Sequence, residues 1–222
     1  MQRVPEKELM EGREEARNYA GAKFPDVTGN AAQHLLDLTV RQAERALNVI
    51  DLGTGPGTIP IQLAKARPAW HITALDASKE MLKIAAISFK MAGVHDRVTP
   101  HLGNAKETGL PDASFDIVFS NNFLHHMPDP VPLWREIKRL IAPGGLVVVR
   151  DLLRPESEAA AHRIVDEMAA NQPESFRIGY FDSLHSAFLV DEVRNQLEAA
   201  GLSSLKVEGV EGRYLDIQGR VT

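Results

Sequence analysis

The chain has 222 residues, 44% of them hydrophobic and 25% charged, which suits one globular domain with a substantial core. A net charge of −5 gives no general attraction to nucleic acid or anionic lipid, and the small basic group Arg135, Lys138 and Arg139 fits a solvated helix face. The absence of cysteine excludes disulfides, thiolate metal sites and cysteine nucleophiles, and it is compatible with a cytoplasmic location.

In chain order, Glu6 to Ala20 is charged and Ala-rich, with Leu9, Ala16 and Tyr19 spaced to share a helix face. The charged stretch Met1 to Arg17 lacks the apolar region of a signal peptide. A loop is expected at Phe24-Pro25-Asp26-Val27-Thr28-Gly29, then a helix from about Asn30 to Arg45 with Leu35, Leu38 and Ala43 on its apolar stripe.

From Leu47 short apolar runs alternate with helical segments. Strands are predicted at 47–52, 70–75, 98–102, 115–120 and 146–150, and helices at 59–66, 79–92 and 131–141. Pro143-Gly144-Gly145 ends the last of these helices. The longest apolar runs, such as Leu146 to Val149, have strand length and cannot cross a membrane. The alternation implies βαβ units around a mainly parallel sheet, buried on both faces by helices.

The rhythm breaks at Asp151. A helix is expected over 156–170, then an irregular, aromatic stretch over 172–188 containing Phe176, Tyr180, Phe181 and Phe188. A helix over 191–200 follows, and two strands, 205–210 and 213–221, joined by a turn at Glu211-Gly212. The expected organisation is one domain over 1–222. It comprises a helical cap (1–46), a cofactor-binding core (47–150), an insert or lid (151–189), and a closing helix with two strands (190–222).

The chemistry centres on the strand Val49-Ile50-Asp51-Leu52, which runs into Gly53-Thr54-Gly55-Pro56-Gly57-Thr58 and then a helix. Glycines let a backbone approach a ligand closely, and a helix N-terminus offers free N–H groups. Asp76 lies 19 residues after Gly57, at the end of the next strand, where a carboxylate can accept from both hydroxyls of an adenosine ribose. A dinucleotide fingerprint would place its third glycine where Thr58 stands.

The pattern D-x-G-x-G-x-G from Asp51 to Gly57 resembles the first motif of class I S-adenosylmethionine-dependent methyltransferases, the UbiE-like, type-11 small-molecule group. Ala74-Leu75-Asp76-Ala77-Ser78, Gly103-Asn104-Ala105, Leu110 to Val118, Leu124-His125-His126 and Leu140 to Gly145 resemble its later motifs, in the expected order over about 47–150. The resemblance implies a Rossmann-like, mainly parallel seven-stranded α/β sheet, with helices on both faces and an antiparallel last strand.

The resemblance also implies roles in binding S-adenosyl-L-methionine and its product S-adenosyl-L-homocysteine. Gly53, Thr54, Gly55 and Gly57 would face the methionine moiety, and Asp51 would orient its amino group. Asp76 would bind the ribose and Ala77 would pack on the adenine. Asn104 and Ala105 would meet the adenine edge, with Asn104 in place of the family's usual Asp. Ser120 and Asn121 would line the methionine pocket, and Tyr19 would close it.

Transfer needs alignment of a nucleophile, and a base only if that nucleophile must lose a proton. His125 and His126 are the candidates, with Asn122 as a comparable orienting group; packing or capping is the bland alternative for the histidines. No catalytic metal is expected. The eight histidines are scattered, and Ser120-Asn121 stands where metal-dependent relatives place a carboxylate. No Asn-Pro-Pro-Tyr-like motif follows the fourth strand, against methylation of amino groups on DNA bases.

Arg150 and Arg177 are candidates for pairing with an anionic substrate. Met168, Phe176, Tyr180, Phe181 and His185 are the insert positions expected to bear on specificity. The expected partner is a small-molecule methyl acceptor, with no nucleic acid and no membrane, in a monomer or a homodimer. The competing readings are an accessory cofactor-binding protein and an NAD-dependent oxidoreductase. Thr58 and the lack of a Tyr-x-x-x-Lys pair argue against the latter.

Overall fold

The computed structural model of the chain describes residues 1–6 and 27–221. Seven helices are described: α1 Val27–Leu38, α2 Thr58–Ala66, α3 Lys79–Met91, α4 Val131–Leu140, α5 Glu158–Met168, α6 Glu174–Ser186 and α7 Val190–Ala200. Seven strands alternate with them: β1 Asn48–Leu52, β2 His71–Asp76, β3 Val98–Leu102, β4 Phe115–Asn121, β5 Ile141–Leu152, β6 Lys206–Val210 and β7 Tyr214–Arg220. Short 3₁₀ turns occur at Val40–Gln42 and Leu124–His126.

The strands form one sheet in the order β3-β2-β1-β4-β5-β7-β6. β1 to β5 pair in parallel, and β7 runs antiparallel to both β5 and β6. This is the Rossmann-like architecture expected from the resemblance. β1 and β4 are sheet neighbours although β2 and β3 intervene in the chain, so the strand order reverses there. A ligand crevice opens beyond the carboxyl ends of the strands at such a point.

Each sheet face is buried because the central strands are apolar on both sides. Val49, Ile72, Ile117, Phe119 and Val148 pack under α1, α2 and α3 with Leu35, Leu63 and Phe89. Ile50, Leu52, Val118, Val147 and Val149 pack under α4 and α7 with Trp134, Ile137, Val193 and Leu197. Trp134 is fully buried, and its Nε1 donates to Gln196 Oε1 at 3.0 Å, so the indole joins α4 to α7 without an orphaned donor.

Three elements differ from the sequence expectation. α1 begins at Val27, inside the expected loop, because one helical glycine (Gly29) costs only about 1 kcal/mol. It ends at Leu38, where Thr39 Oγ1 donates to Leu35 O at 2.7 Å and competes with the helical pattern. β5 starts directly after α4, with Pro143-Gly144-Gly145 inside it: the steps from 141 to 146 on β5 face those from 115 to 117 on β4, and the extra residues bulge.

The third difference is α6, in the stretch expected to be irregular. Phe176, Tyr180 and Leu184 recur every fourth residue, and the helix lays this stripe on Ala161, Val165 and Ala169 in a third cluster. Aromatic density there reflects packing between α5 and α6. The expected helix at 6–20 lies outside the described residues, apart from Glu6. Among the described residues no helix is long and apolar enough to cross a membrane.

The connector between β3 and β4 is pinned by one carboxylate. Glu136 on α4 accepts from Thr108 N (2.8 Å), Thr108 Oγ1 (2.6 Å), and Arg139 Nε and Nη2 (2.8 and 2.6 Å). Arg139 also donates to Leu110 O and to the carboxylate of Asp112. The Arg139 hydrogen bonds hold the Glu136 carboxyl down at about 2. A carboxyl lowered on folding stabilises the fold above the ordinary carboxylate range and loses that effect as pH falls towards the folded value. Glu136→Gln should therefore cost about 2 kcal/mol at neutral pH. In denaturant melts the penalty should shrink as the pH is lowered towards about 2.

Candidate active site

The turn after β1 is built by glycines that no other residue replaces easily. Gly53, Gly55 and Gly57 have φ of 75°, 54° and 82°. A Cβ on Gly53 would lie 2.4 Å from the Phe123 ring, and one on Gly57 would lie 2.4 Å from the Phe89 ring. Gly57 caps the N-terminus of α2 in the left-handed conformation. The turn is fastened to the end of β2: Gly53 N and Thr54 N both donate to Leu75 O at 2.9 Å.

Two carboxylates converge on this turn. Asp51 is buried, and Oδ2 accepts from Thr54 Oγ1 at 2.7 Å. Burial, with a smaller contribution from the charge of Asp76, pushes its carboxyl up to about 7. Asp76 accepts from Gly55 N on one oxygen and Ser78 N on the other, each at 2.8 Å. Burial raises its carboxyl too, against these backbone hydrogen bonds and the charge of His126. Neither carboxylate has a Lys or Arg partner among the described residues. Each Asp76 oxygen keeps acceptor capacity for a further donor.

The other wall is the segment after β4. Ser120 Oγ donates to Leu52 O at 2.8 Å and ties β4 to β1. Asn122 adopts φ of 50°, and its N–H donates to Arg150 O at 2.9 Å. Among the described residues, the Oδ1 atoms of Asn121 and Asn122 are buried without a hydrogen-bond partner. Orphaned acceptors of this kind, beside a backbone cradle with no room for a Cβ, fit a polar ligand laid against the turn.

The 3₁₀ turn Leu124–His126 is held by Asp151 at the end of β5. Its carboxylate accepts from Phe123 N (2.8 Å), Leu124 N (2.6 Å), Leu152 N (2.7 Å) and His125 Nδ1 (2.6 Å). Burial disfavours the charge on both members of the pair. Their mutual attraction and hydrogen bond prevail, so the His125 imidazole is raised and the Asp151 carboxyl lowered. His125 is buried and turned into the protein. His126 is partly exposed, and its Nδ1 lies 2.6 Å from Glu6 Oε1, which is also 3.4 Å from His125 Nε2.

The structure brings Asp51, Gly53, Thr54, Gly55, Gly57, Asp76, Ser120, Asn121, Asn122, His125 and His126 to one end of the sheet. Ala77 is exposed beside Asp76. Asn104 is exposed, and its Oδ1 accepts from Lys106 N at 2.9 Å, while the Ala105 side chain is buried in the core. Tyr19 lies outside the described residues. Of the arginines singled out, Arg150 pairs with Asp216 at 3.3 Å and Arg177 with Asp166 at 2.5 Å.

Sequence reasoning did not give Asp151 its place beside the histidines, although neighbouring parallel strands bring the ends of β4 and β5 together. Glu6 offered no signal beyond its place in a charged segment. A cleft of about 630 Å³ between Leu153, Ile164, Leu189 and Arg213 contains none of these residues. Arg213 at its edge lies 3.9 Å from Glu167 and 3.6 Å from Glu211.

Removing one member of a buried charged pair strands the other. Asp151→Ala should cost about 3–5 kcal/mol in denaturant unfolding. A change near zero would mean that the turn is held by something else.

Comparisons with known proteins agree with this geometry. The "Methyltransferase domain" family profile matches residues 43–201. A 27-O-demethylrifamycin SV methyltransferase from Amycolatopsis mediterranei is 31% identical over 78% of this chain and 59% of its own length. A demethylmenaquinone methyltransferase from Listeria welshimeri is 34% identical over 53% of this chain and 50% of its own. The chain thus spans between half and three-fifths of the length of these relatives.

In fold, a solved structure from Methanococcus maripaludis, provisionally assigned as an S-adenosyl-L-methionine-dependent methyltransferase, superposes with a TM-score of 0.74 at 23% identity. The match covers 97% of this chain and 95% of that one. The family match, the glycine turn with its two carboxylates, and the β7-antiparallel sheet together show that the chain belongs to the class I S-adenosylmethionine-dependent methyltransferases.

Proposed function

We propose that the protein methylates a small molecule at an oxygen or carbon that must give up a proton, with His126 as the base. One observation carries this reading. His126, in the 3₁₀ turn after β4, stands at the same end of the sheet as Asp76, partly exposed and with Glu6 Oε1 2.6 Å from its Nδ1. The two curated relatives support the acceptor class, being named for 27-O-demethylrifamycin SV and for demethylmenaquinone.

S-adenosylmethionine, when bound, supplies a methyl group on a sulfonium that is already a good leaving group. The chain's own residues bind and orient. Asp76 would take the ribose hydroxyls, with Ala77 exposed beside it for the adenine. Asp51 would take the α-ammonium directly or through water, and Asn121 and Asn122 would offer their free acceptors to donors of the bound partners. His126 Nε2 would receive the acceptor's proton. The acceptor's electron pair then forms the bond to the methyl carbon as the carbon–sulfur bond breaks and leaves its pair on sulfur. Holding the partners in line can supply about 7–11 kcal/mol of the barrier reduction.

Buried carboxylates without cationic partners suit a ligand carrying an ammonium and a sulfonium better than the anionic pyrophosphate of NAD. Calorimetry should show S-adenosylmethionine and S-adenosylhomocysteine binding far more tightly than NAD, and the reverse order would refute the assignment. Asp76→Ala should weaken both by at least about tenfold, the loss of one charge-assisted hydrogen bond.

Free Asp51 holds its proton up to about pH 7, whereas a nearby ammonium favours the ionised form. Affinity for S-adenosylmethionine should therefore rise between about pH 6 and pH 8, and Asp51→Asn should flatten that rise. A panel of phenols, quinols and hydroxylated polyketides with methyl-labelled cofactor should yield a turned-over acceptor. On it, His126→Ala should lower kcat by about 10²- to 10⁴-fold. Full activity of that variant would remove His126 from the mechanism.

A further inference from the structure

Residues 1–6 form a strap against the histidine turn and the end of α6, and Arg3 fastens it. Its Nε donates to Ser186 O at 2.7 Å, and Nη2 donates to Met127 O and His125 O at 2.8 and 3.2 Å. Its guanidinium lies 3.9 Å from the centroid of the Phe188 ring. Val4 N donates to His185 O at 3.1 Å. One side chain thus binds the strap to the histidine turn and to the end of α6.

The strap delivers Glu6. Its side chain is 18% exposed, and Ser183 Oγ lies 3.3 and 3.4 Å from its two oxygens. Oε1 faces His126 Nδ1 at 2.6 Å. A base histidine needs a carboxylate at this place, because it favours the tautomer with hydrogen on Nδ1 and a lone pair on Nε2 and steadies the imidazolium that forms. His125 also has a carboxylate on Nδ1, that of Asp151, but the ring is buried and its Nε2 lies 3.4 Å from Glu6, so that nitrogen is not open to an acceptor.

We infer that Glu6 is the positioning carboxylate of His126, so that the base is complete only with the N-terminal strap docked. The inference rests on the reading of His126 as the base. It defines the acceptor by its acidic hydroxyl or carbon acid, since a neutral amine lone pair would need no such dyad. The acceptor proton passes to His126 Nε2 while the Nδ1 proton stays on the ring beside Glu6 Oε1, an ion-pair contact of 2.6 Å rather than an aligned hydrogen bond, and the imidazolium later returns its proton to solvent.

Two measurements test it. Long-range ¹H–¹⁵N correlation spectra of the labelled full chain need no acceptor. Above the titration of the ring, wild-type His126 should carry its proton on Nδ1. Glu6→Gln and Glu6→Ala should shift the proton towards Nε2, and Glu6→Asp should retain the native tautomer. A wild-type ring protonated on Nε2, or one indifferent to Glu6→Ala, would overturn the inference.

With an acceptor from the screen, Glu6→Gln should lower kcat by about 10²- to 10⁴-fold, with KM for S-adenosylmethionine within about twofold. Arg3→Ala should lower kcat in the same direction. A rise in KM alone would make Glu6 a binding residue and refute the dyad. Because Glu6 Oε1, His125 Nε2 and His126 Nδ1 lie within 4.8 Å of one another, zinc titration belongs in the same series. Stoichiometric zinc lost in Glu6→Ala would also overturn the dyad. Failure of the acceptor screen would count against the function but not the tautomer, and an unchanged tautomer would leave methyl transfer standing.

Discussion

The carboxylate of Asp151 is the constraint on which the site depends. It sits at the end of β5 with no exposure to speak of, and it gathers Phe123 N, Leu124 N, Leu152 N and His125 Nδ1. Those contacts convert the exit of β4 from a free loop into a fixed turn. With the turn fixed, the Phe123 ring lies where only Gly53 leaves room for it. His126 comes to rest with its Nδ1 2.6 Å from Glu6 Oε1. A buried anion of this kind is costly unless fully satisfied, and here its four donors meet that condition.

The electrostatics of the crevice follow from the same economy of partners. Asp51 is buried and Asp76 half-buried near it, and among the described residues they are hydrogen-bonded by a hydroxyl and backbone N–H groups. Both carboxyls are consequently raised, so a cation placed beside them would favour their ionised forms. On the other side of the turn the pattern is inverted. Asp151 and Glu6 are both lowered because imidazoles answer them. On the proposed reading, one wall takes the cationic cofactor and the other the acceptor's proton.

The sheet was legible in the sequence because its strands are apolar runs with helices between them, and the glycine turn because D-x-G-x-G-x-G has a direct backbone reason. The placement of β1 to β4 rested on those two signals. Legibility failed where the deciding contact is distant in sequence. Nothing in Leu124-His125-His126 says that Asp151 will claim one ring and Glu6 the other, since those partners come from the next strand and from the N-terminus. α6 was unreadable for a different reason: its aromatic stripe faces a neighbouring helix, and Gly179 interrupts the pattern. Asn104 shows the reverse case, a motif residue whose side chain is already engaged with Lys106 N.

His125 and His126 are adjacent, yet their surroundings differ completely, and the local helix type accounts for it. A 3₁₀ turn advances about 120° per residue. When Asp151 draws His125 inward against β5, the next side chain is carried around towards the crevice. The rings remain 4.2 Å apart and tilted by 36°, near enough for Glu6 to lie beside both. One imidazole thus becomes part of the scaffold, and the other is the base of the proposed reaction. On that reading the sheet end sets the position of the ring, and the N-terminal segment sets its tautomer. Either contribution alone leaves the ring unfinished, so on that reading precision at His126 comes from elements far apart in the chain.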